Sequence, residues 1–140
     1  MTDANPPAGY HYEETPSTFI NHVGPLFVKT VETADGEKQI WCAMRVEAHH
    51  VNAWKFAHGG FILTMAEIGT ARASWDPNGP AIIAVDLNVQ FIGAPKLGDW
   101  VEVCGAITKR TRTLVFTSAR GEAGGQPVFF ATSVQKIMAS

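Results

Sequence analysis

The sequence predicts an α+β fold in which a curved antiparallel sheet of about six strands wraps around one long helix. A run of about fifteen residues after Gly60 is apolar almost all round, which indicates a helix buried within the fold rather than an amphipathic surface helix. The flanking segments alternate apolar and polar residues, two of them before the helix and four after it. Such alternation is typical of half-buried strands. Because an antiparallel sheet usually covers one face, it would bury this helix best by curling around it.

The elements are expected in the following order. A short helical turn at 19–23 precedes the break Gly24-Pro25, and the central helix ends at Asp76-Pro77-Asn78-Gly79-Pro80. The strands, each bounded by a turn, are expected at residues 26–32, 39–47, 85–91, 100–108, 114–119 and 128–138. The last four are closely spaced and predict an antiparallel meander.

The bulk properties indicate one domain, residues 1–140, with residues 1–15 as a loose N-terminal segment. A net charge of −2 disfavours a nucleic-acid surface, which needs a basic stripe. The N-terminus has neither the basic nor the apolar region of a secretory signal, and no apolar run is long enough to span a membrane. We therefore expect a cytoplasmic protein without nucleic-acid or membrane partners.

The cysteines and histidines argue against disulfides and metals. Cys42 and Cys104 lack any CxxC spacing and are expected to be reduced, buried thiols. The four histidines outside the central stretch have no metal-ligand spacing, so neither a metal nor a cofactor is predicted: His11, His22, His49 and His50.

The chemistry is expected in the stretch 52–67. Glu67 stands alone in the apolar helix, where burial should raise its pKa. Gly59 and Gly60 open the helix, whose N-terminal N–H groups suit an oxyanion. Each residue also has a plainer interpretation. Glu67 could pair with a base, Gly59 could be a simple turn, Asn52 could be a turn residue, and His58 could either contact substrate or cap the loop.

The central stretch resembles that of a known family. Three features carry the resemblance: the triplet His58-Gly59-Gly60, the acid Glu67 nine residues after that histidine, and Val85-Asp86-Leu87-Asn88 followed after a break by Pro95-Lys96-Leu97-Gly98-Asp99. An asparagine, Asn52, precedes the first glycine by seven residues. This pattern resembles the hotdog-fold acyl-CoA thioesterases of the 4-hydroxybenzoyl-CoA thioesterase superfamily, in particular the PaaI-like branch of phenylacetate degradation.

The resemblance implies roles for the matching positions. Glu67 would activate water or attack the thioester, the Gly59 N–H would bind the thioester oxygen, and the Asn52 amide would contact the carbonyl or the water. Members of the family carry a hydroxyl where this chain has Ala71 or Ala84. Thr70 or Thr64, each three residues from Glu67, could replace it.

Further positions are assigned to substrate binding. Gly60 and Thr70 lie next to the predicted catalytic residues. Lys109, Arg110 and Arg112 place three cations within four positions, and in a CoA enzyme they could hold the nucleotide phosphates. Such a cluster is otherwise a solvated face.

Helix geometry suggests that two chains share the site. Gly59 and Glu67 are eight residues apart, about 12 Å along a helix axis, so they cannot both contact one thioester carbon. If they act together, they come from different chains across a two-fold axis. This agrees with the resemblance, which implies a homodimer with active sites at its interface, or a dimer of such dimers.

The leading interpretation is an acyl-CoA thioesterase that acts on an aryl- or medium-chain acyl-CoA, with Glu67 as general base or nucleophile and the Gly59 N–H as oxyanion donor. One alternative is a non-catalytic acyl-CoA-binding module, which the alanines at 71 and 84 would favour. A less favoured alternative is a hotdog enoyl-CoA hydratase or dehydratase.

Overall fold

The computed structural model describes residues 5–139, which form one antiparallel sheet of seven strands around a central helix. The predicted α+β fold is confirmed, with one short strand more than expected. The elements are β1 (His11–Tyr12), α1 (Thr18–Val23), β2 (Phe27–Glu32), β3 (Lys38–Arg45), α2 (Gly59–Ser74), β4 (Ile82–Phe91), β5 (Trp100–Arg110), β6 (Leu114–Ala123) and β7 (Gln126–Ile137).

The strand order is β1-β2-β3-β5-β6-β7-β4. The predicted four-strand meander was therefore wrong, because only β5, β6 and β7 follow one another in the sheet. β4 pairs instead with β7, from Ile82 opposite Ile137 to Phe91 opposite Phe129. Alternation along a segment indicates a strand but does not specify its partner, which explains the error. The result is that β4 forms one edge of the sheet.

One side of α2 packs closely on the sheet. Gly69 on the helix faces Gly105 on β5, where an added Cβ would lie 2.3 Å from the Gly69 carbonyl oxygen. No side chain fits between these backbones, so glycine at 105 allows the close approach. The helix buries five apolar side chains in this core: Phe61, Ile62, Met65, Ala66 and Ile68.

The other side of α2 is open, so the prediction of a helix buried all round was wrong. Leu63 is 43% exposed and Trp75 is 53% exposed. Gly60 and Glu67 are exposed along the same face. The sheet curls around one side of the helix only, since a single curved layer cannot enclose it. Within residues 5–139, segment 13–20 borders this face as the far wall of a cleft but leaves Leu63 and Glu67 exposed.

The N-terminal segment is held more firmly than predicted. Tyr10 is buried, packs edge-on against Trp100 at a ring distance of 5.3 Å, and donates a hydrogen bond to Glu102. The next two residues form β1 on the edge of β2. The expectation of a loose segment over 1–15 is thus wrong for residues 10–13, while residues 1–4 lie outside the described part of the chain.

The two cysteines are free thiols, as predicted. Cys42 lies opposite Val103 in the sheet, so Cys104, the next residue on that strand, points to the opposite face. A disulfide between them is therefore geometrically excluded. Burial raises the pKa of the Cys42 thiol to about 11, which keeps it protonated and unreactive.

Candidate active site

The N-terminus of α2 is capped by His58. Its ring Nδ1 accepts a hydrogen bond of 2.9 Å from the Gly60 N–H. Its backbone N–H donates to the His50 carbonyl at 2.8 Å. Of the two roles left open for His58, the structure shows the cap. Because Gly60 supplies the N–H that this cap uses, its backbone donor is already engaged.

The Gly59 N–H remains available. Gly59 is the first residue of α2, and the first backbone N–H groups of a helix have no partner within it. Among residues 5–139, no acceptor meets it. The positive end of the helix dipole favours an anion at this position. The aromatic ring of Phe91 lies 3.7 Å from where a Gly59 Cβ would be, so an apolar surface flanks the free donor.

Asn52 shapes the loop that leads into α2. Its Oδ1 accepts from the Trp54 N–H at 2.9 Å and the Phe56 N–H at 3.2 Å. The loop closes through a bridge between Val51 and Ala57. The turn role is therefore present, and the amide oxygen is occupied by it. Within the described residues, the Nδ2 group has no acceptor, so it can still donate to a bound carbonyl or water.

Glu67 lies on the open face of α2 and lines a cleft of about 680 Å³. Its surroundings desolvate the carboxylate and raise its pKa above the ordinary value of 4.5. The described residues contain no ion pair to Glu67. Arg72, the basic residue of α2, pairs instead with Glu13. The carboxylate is thus free to act, although it faces an open cleft rather than a closed interior.

Thr70 does not reach this cleft, contrary to the prediction. It is fully buried, and its hydroxyl donates to the Ala66 carbonyl at 3.0 Å. A residue three positions from Glu67 can still point to the inner side of the helix, and the Thr70 side chain lies in the core. Thr64 is partly exposed but donates to the Gly60 carbonyl at 2.9 Å. Of the two threonines considered as replacements, Thr64 alone is open to solvent.

The two ends of the predicted site line different clefts. His58 and Gly60 line a cleft of about 390 Å³ at the N-terminal end of α2, together with Thr64. Glu67 lines the larger cleft, toward the C-terminal end of the helix. Gly59, the candidate oxyanion donor, lies between His58 and Gly60 in the chain, so one chain separates it from Glu67, as helix geometry predicts.

The basic cluster lies at the far end of α2. Lys109, Arg110 and Arg112 are all exposed. Arg110 donates to the Ser74 carbonyl at 3.2 Å and so satisfies a carbonyl at the helix C-terminus. The sequence did not suggest this capping role. Lys109 and Arg112 remain solvent-facing cations.

Sequence reasoning also missed Glu13, which lines the same cleft as Glu67. It contacts Arg72, which is 59 residues away in sequence, and no local pattern could indicate such a pair. No cluster of ligand side chains suited to a metal occurs in residues 5–139. No helix in this range combines the length and apolar character needed to cross a bilayer.

The family model described as the thioesterase superfamily matches residues 55–129, more than half of the chain. A candidate esterase of Pseudomonas aeruginosa is 32% identical over 133 residues, which cover 93% of this chain and 96% of that protein. Human acyl-coenzyme A thioesterase 13 is 32% identical over 92 residues, which cover 65% of this chain and 64% of the human enzyme. The chain spans less than two thirds of the human relative.

Comparison with solved structures also finds thioesterase-related folds. A variant of the phenylacetic acid degradation protein PaaI from Thermus thermophilus has a TM-score of 0.72 at 21% identity, over 87% of this chain and 100% of that one. The shared architecture is the hotdog fold, as predicted from the resemblance. The chain belongs to the thioesterase superfamily. It is accordingly a thioester hydrolase, which confirms the predicted enzyme class.

Proposed function

We propose that this protein hydrolyses the thioester of an aryl- or medium-chain acyl-CoA to the free acid and CoA. The observation that carries the proposal is the pair formed by the free Gly59 N–H at a helix N-terminus and the desolvated, unpaired Glu67 carboxylate on the same helix. Thioester hydrolysis needs these two functions, an oxyanion donor and an activated water or nucleophile. The human relative is named for acyl-CoA substrates.

The Gly59 N–H would stabilise the transition state. As the thioester carbon becomes tetrahedral, its oxygen gains negative charge, and a fixed N–H at a helix N-terminus offsets that charge without reorganising. The free Nδ2 of Asn52 offers a second donor for the carbonyl or the attacking water. His58 supports both by capping the helix start.

Glu67 would supply the base or the nucleophile. As a base, its carboxylate removes a proton from water while the water oxygen attacks the carbonyl carbon, and the CoA thiolate leaves. As a nucleophile, it attacks the carbon itself, expels the thiolate and forms an anhydride that water then cleaves. Both routes need the ionised carboxylate. Its raised pKa makes it a stronger base than an ordinary glutamate.

A homodimer would bring the two halves together. β4 is an edge strand, and it exposes Ile83, Val85 and Phe91 at 52%, 58% and 57%. Long apolar edges are normally covered, because their free backbone groups pair with other strands. The open face of α2 adds Leu63 beside Glu67. Covering this surface with a second copy would place Glu67 of one chain near Gly59 of the other.

The basic cluster is proposed to hold the nucleotide phosphates. Lys109 and Arg112 are exposed, and Arg110 keeps donors beyond the one that caps Ser74. Gly60 would line the path of the substrate at the cleft of about 390 Å³. In a dimer of such dimers, each site shared by two chains would still carry these residues.

The test is a turnover assay with a thiol reagent over a panel of aryl- and straight-chain acyl-CoAs, alongside the Glu67→Gln variant. We expect hydrolysis by the wild type and its loss in the variant. Tight acyl-CoA binding without release of thiol from any member of the panel would reject the proposal and favour a binding module.

A further inference from the structure

Two cavities meet at a single side chain. The cleft beside Glu67, about 680 Å³, and a second cavity of about 450 Å³ share one lining residue, Arg72. The second cavity lies beyond the helix, between the start of β3 and the middle of β5. On these two strands it is lined by residues that include Ile40, Gly105 and Ile107.

Arg72 is fixed from two sides. Its guanidinium pairs with the Glu13 carboxylate, and its Cζ lies 5.3 Å from the centre of the Trp75 ring. The Arg72 side chain is 16% exposed, so most of its length is packed. Both contacts restrict a side chain that would otherwise be flexible.

Glu13 is fixed in turn by the strand before it. Its N–H donates to the Leu26 carbonyl at 2.9 Å, directly after β1 pairs with β2. The buried ring of Tyr10 anchors the same segment on the sheet. The ion pair is therefore built between two rigid elements, α2 and the N-terminal strand.

The cleft extends from Glu67 toward this ion pair. Its wall on α2 continues from Glu67 through Ala71 to Trp75, and the opposite wall is the segment 13–17 with Ile20. Arg72 lies five residues beyond Glu67, about 7.5 Å along the axis. An acyl group whose thioester carbon lies at Glu67 would run along this path and pass Arg72. Trp75, Ala81 and Ile82 line the cleft further on, so Arg72 forms the side of the cleft that separates it from the second cavity.

We propose that the Glu13–Arg72 ion pair is the wall between the acyl cleft and the second cavity and so sets the longest acyl group that the enzyme accepts. The proposal rests on the proposed function, because it takes the acyl group to lie beside Glu67. Burying alkyl carbons against a paired charge is unfavourable, since the pair cannot be desolvated further without cost. Without the Arg72 side chain, the two cavities join and longer chains gain room.

The experiment measures binding separately from turnover. S-alkyl-CoA thioethers of increasing chain length, which cannot be hydrolysed, are titrated by calorimetry into wild type and Arg72→Ala. For wild type, affinity should rise about fourfold with each buried methylene and stop rising at the wall. In Arg72→Ala the limit should move by about two or more methylenes, a gain of about fifteenfold or more for the longest analogues.

Arg120→Ala is the matched control. Arg120 also pairs with a glutamate, Glu122, and lies 5.1 Å from a tryptophan ring, that of Trp41. It belongs to β6 and lines neither cavity. Its removal should leave the length limit unchanged. If Arg120→Ala moves the limit as far as Arg72→Ala does, the wall is refuted.

Two further variants keep the test decisive if Arg72→Ala does not fold, and they show which cavity provides the room for longer acyl groups. Arg72→Met keeps the buried stem, removes the guanidinium and should shift the limit in the same direction. Adding Ile40→Trp to Arg72→Ala fills the second cavity and should restore the wild-type limit. A folded Arg72→Ala or Arg72→Met with an unchanged limit overturns the proposal, as does a gain that Ile40→Trp does not reverse.

Hydrolysis of the matching thioesters by wild type tests the proposed function by itself. If wild type binds the thioethers with a length limit but hydrolyses no thioester, the proposed function fails and the wall stands. If wild type hydrolyses thioesters and the length limit is the same in wild type and in the Arg72 variants, the proposed wall is refuted and the proposed function stands. Absence of thioether binding at every length would refute the wall, and hydrolysis of the thioesters by wild type would still decide the proposed function.

Discussion

Gly59 and Glu67 lie on the same helix, about 12 Å apart along its axis. Gly59 lies between His58 and Gly60, which line one cleft, and Glu67 lines another. A single thioester cannot contact both of these groups in one chain, since reacting atoms must approach to about 3 Å. The spacing follows from the helical backbone, so small adjustments of side chains cannot remove it. We therefore propose that a working site combines the helix start of one chain with the acid of another.

Glu67→Gln should lower kcat by about 10²–10⁴-fold, the range for loss of a general acid–base group. The substitution keeps the shape of the side chain and removes its charge. Because desolvation raises the pKa of Glu67, its ionised form opposes folding at neutral pH, so the variant should not unfold more easily. Steady-state kinetics and urea unfolding measure the two effects. Glu32→Gln, at the exposed end of β2, serves as control. Near wild-type turnover in Glu67→Gln would remove the acid from the mechanism.

The pH profile should follow the same carboxylate. Catalysis requires ionised Glu67, and its pKa lies above 4.5 because the protein around the carboxylate partly desolvates it and disfavours the charge. The rate should therefore fall as pH decreases through a value above 4.5, with the protonated acid inactive. The logarithm of kcat against pH, measured with saturating substrate, gives this limb. A limb at or below 4.5 would contradict a desolvated catalytic carboxylate.

The sequence indicated the fold because most of its signals are local. Alternation and the apolar run identified six strands and α2. Turn residues gave their ends less well, since β4 begins three residues before the predicted 85 and β6 ends four residues after the predicted 119. The pairing of β4 with β7 was missed because it joins residues such as Ile82 and Ile137, which no local pattern links. The open face of α2 was missed for a related reason. An apolar surface that a second chain can cover has the same composition as one that the core covers.

The candidate site was found where a residue broke a pattern. Glu67 is the acid in an apolar run, and Gly59 is a glycine at a helix start. Thr70 was misassigned because its distance in sequence from Glu67 does not reveal that it points inward. The pair of Glu13 and Arg72 left no signal, since its members meet only after β1 docks on the sheet.

His50 should make the protein less stable in acid. It is buried, its Nδ1 accepts from the Glu47 N–H at 2.9 Å, and its Nε2 lies 2.7 Å from the Val23 carbonyl. Burial lowers the pKa of His50 below 6.5. The unfolded chain then binds a proton more readily than the folded one, so the free energy of unfolding should fall as pH drops below about 6.5.

Urea unfolding between pH 5 and pH 8 checks this dependence. His50→Gln should flatten it, while the same substitution at the exposed His11 should not. An unaltered slope in His50→Gln would assign the acid sensitivity to other groups.

Changing Lys109, Arg110 and Arg112 to alanine should raise KM for acyl-CoA. The loss should shrink for an acyl-pantetheine thioester, which lacks the nucleotide phosphates that these cations are proposed to hold. Arg110 also caps the Ser74 carbonyl, so stability should fall by about 0.3–1 kcal/mol. Thermal unfolding separates this effect from binding. An equal rise of KM for both substrates would show that the cluster is only a solvated turn.

Mixed dimers test the shared site most directly. Asn52→Ala and Glu67→Gln, each inactive alone, are combined and their subunits exchanged by mild unfolding and refolding. If Asn52 and Gly59 of one chain act with Glu67 of the partner, each mixed dimer has one site with both lesions and one with neither. Random pairing makes about half of the dimers mixed, so activity should recover to about a quarter of wild type. Fluorescent labels on the two variants verify exchange. If both residues act within one chain, every site keeps a lesion, and fully exchanged subunits should recover no activity.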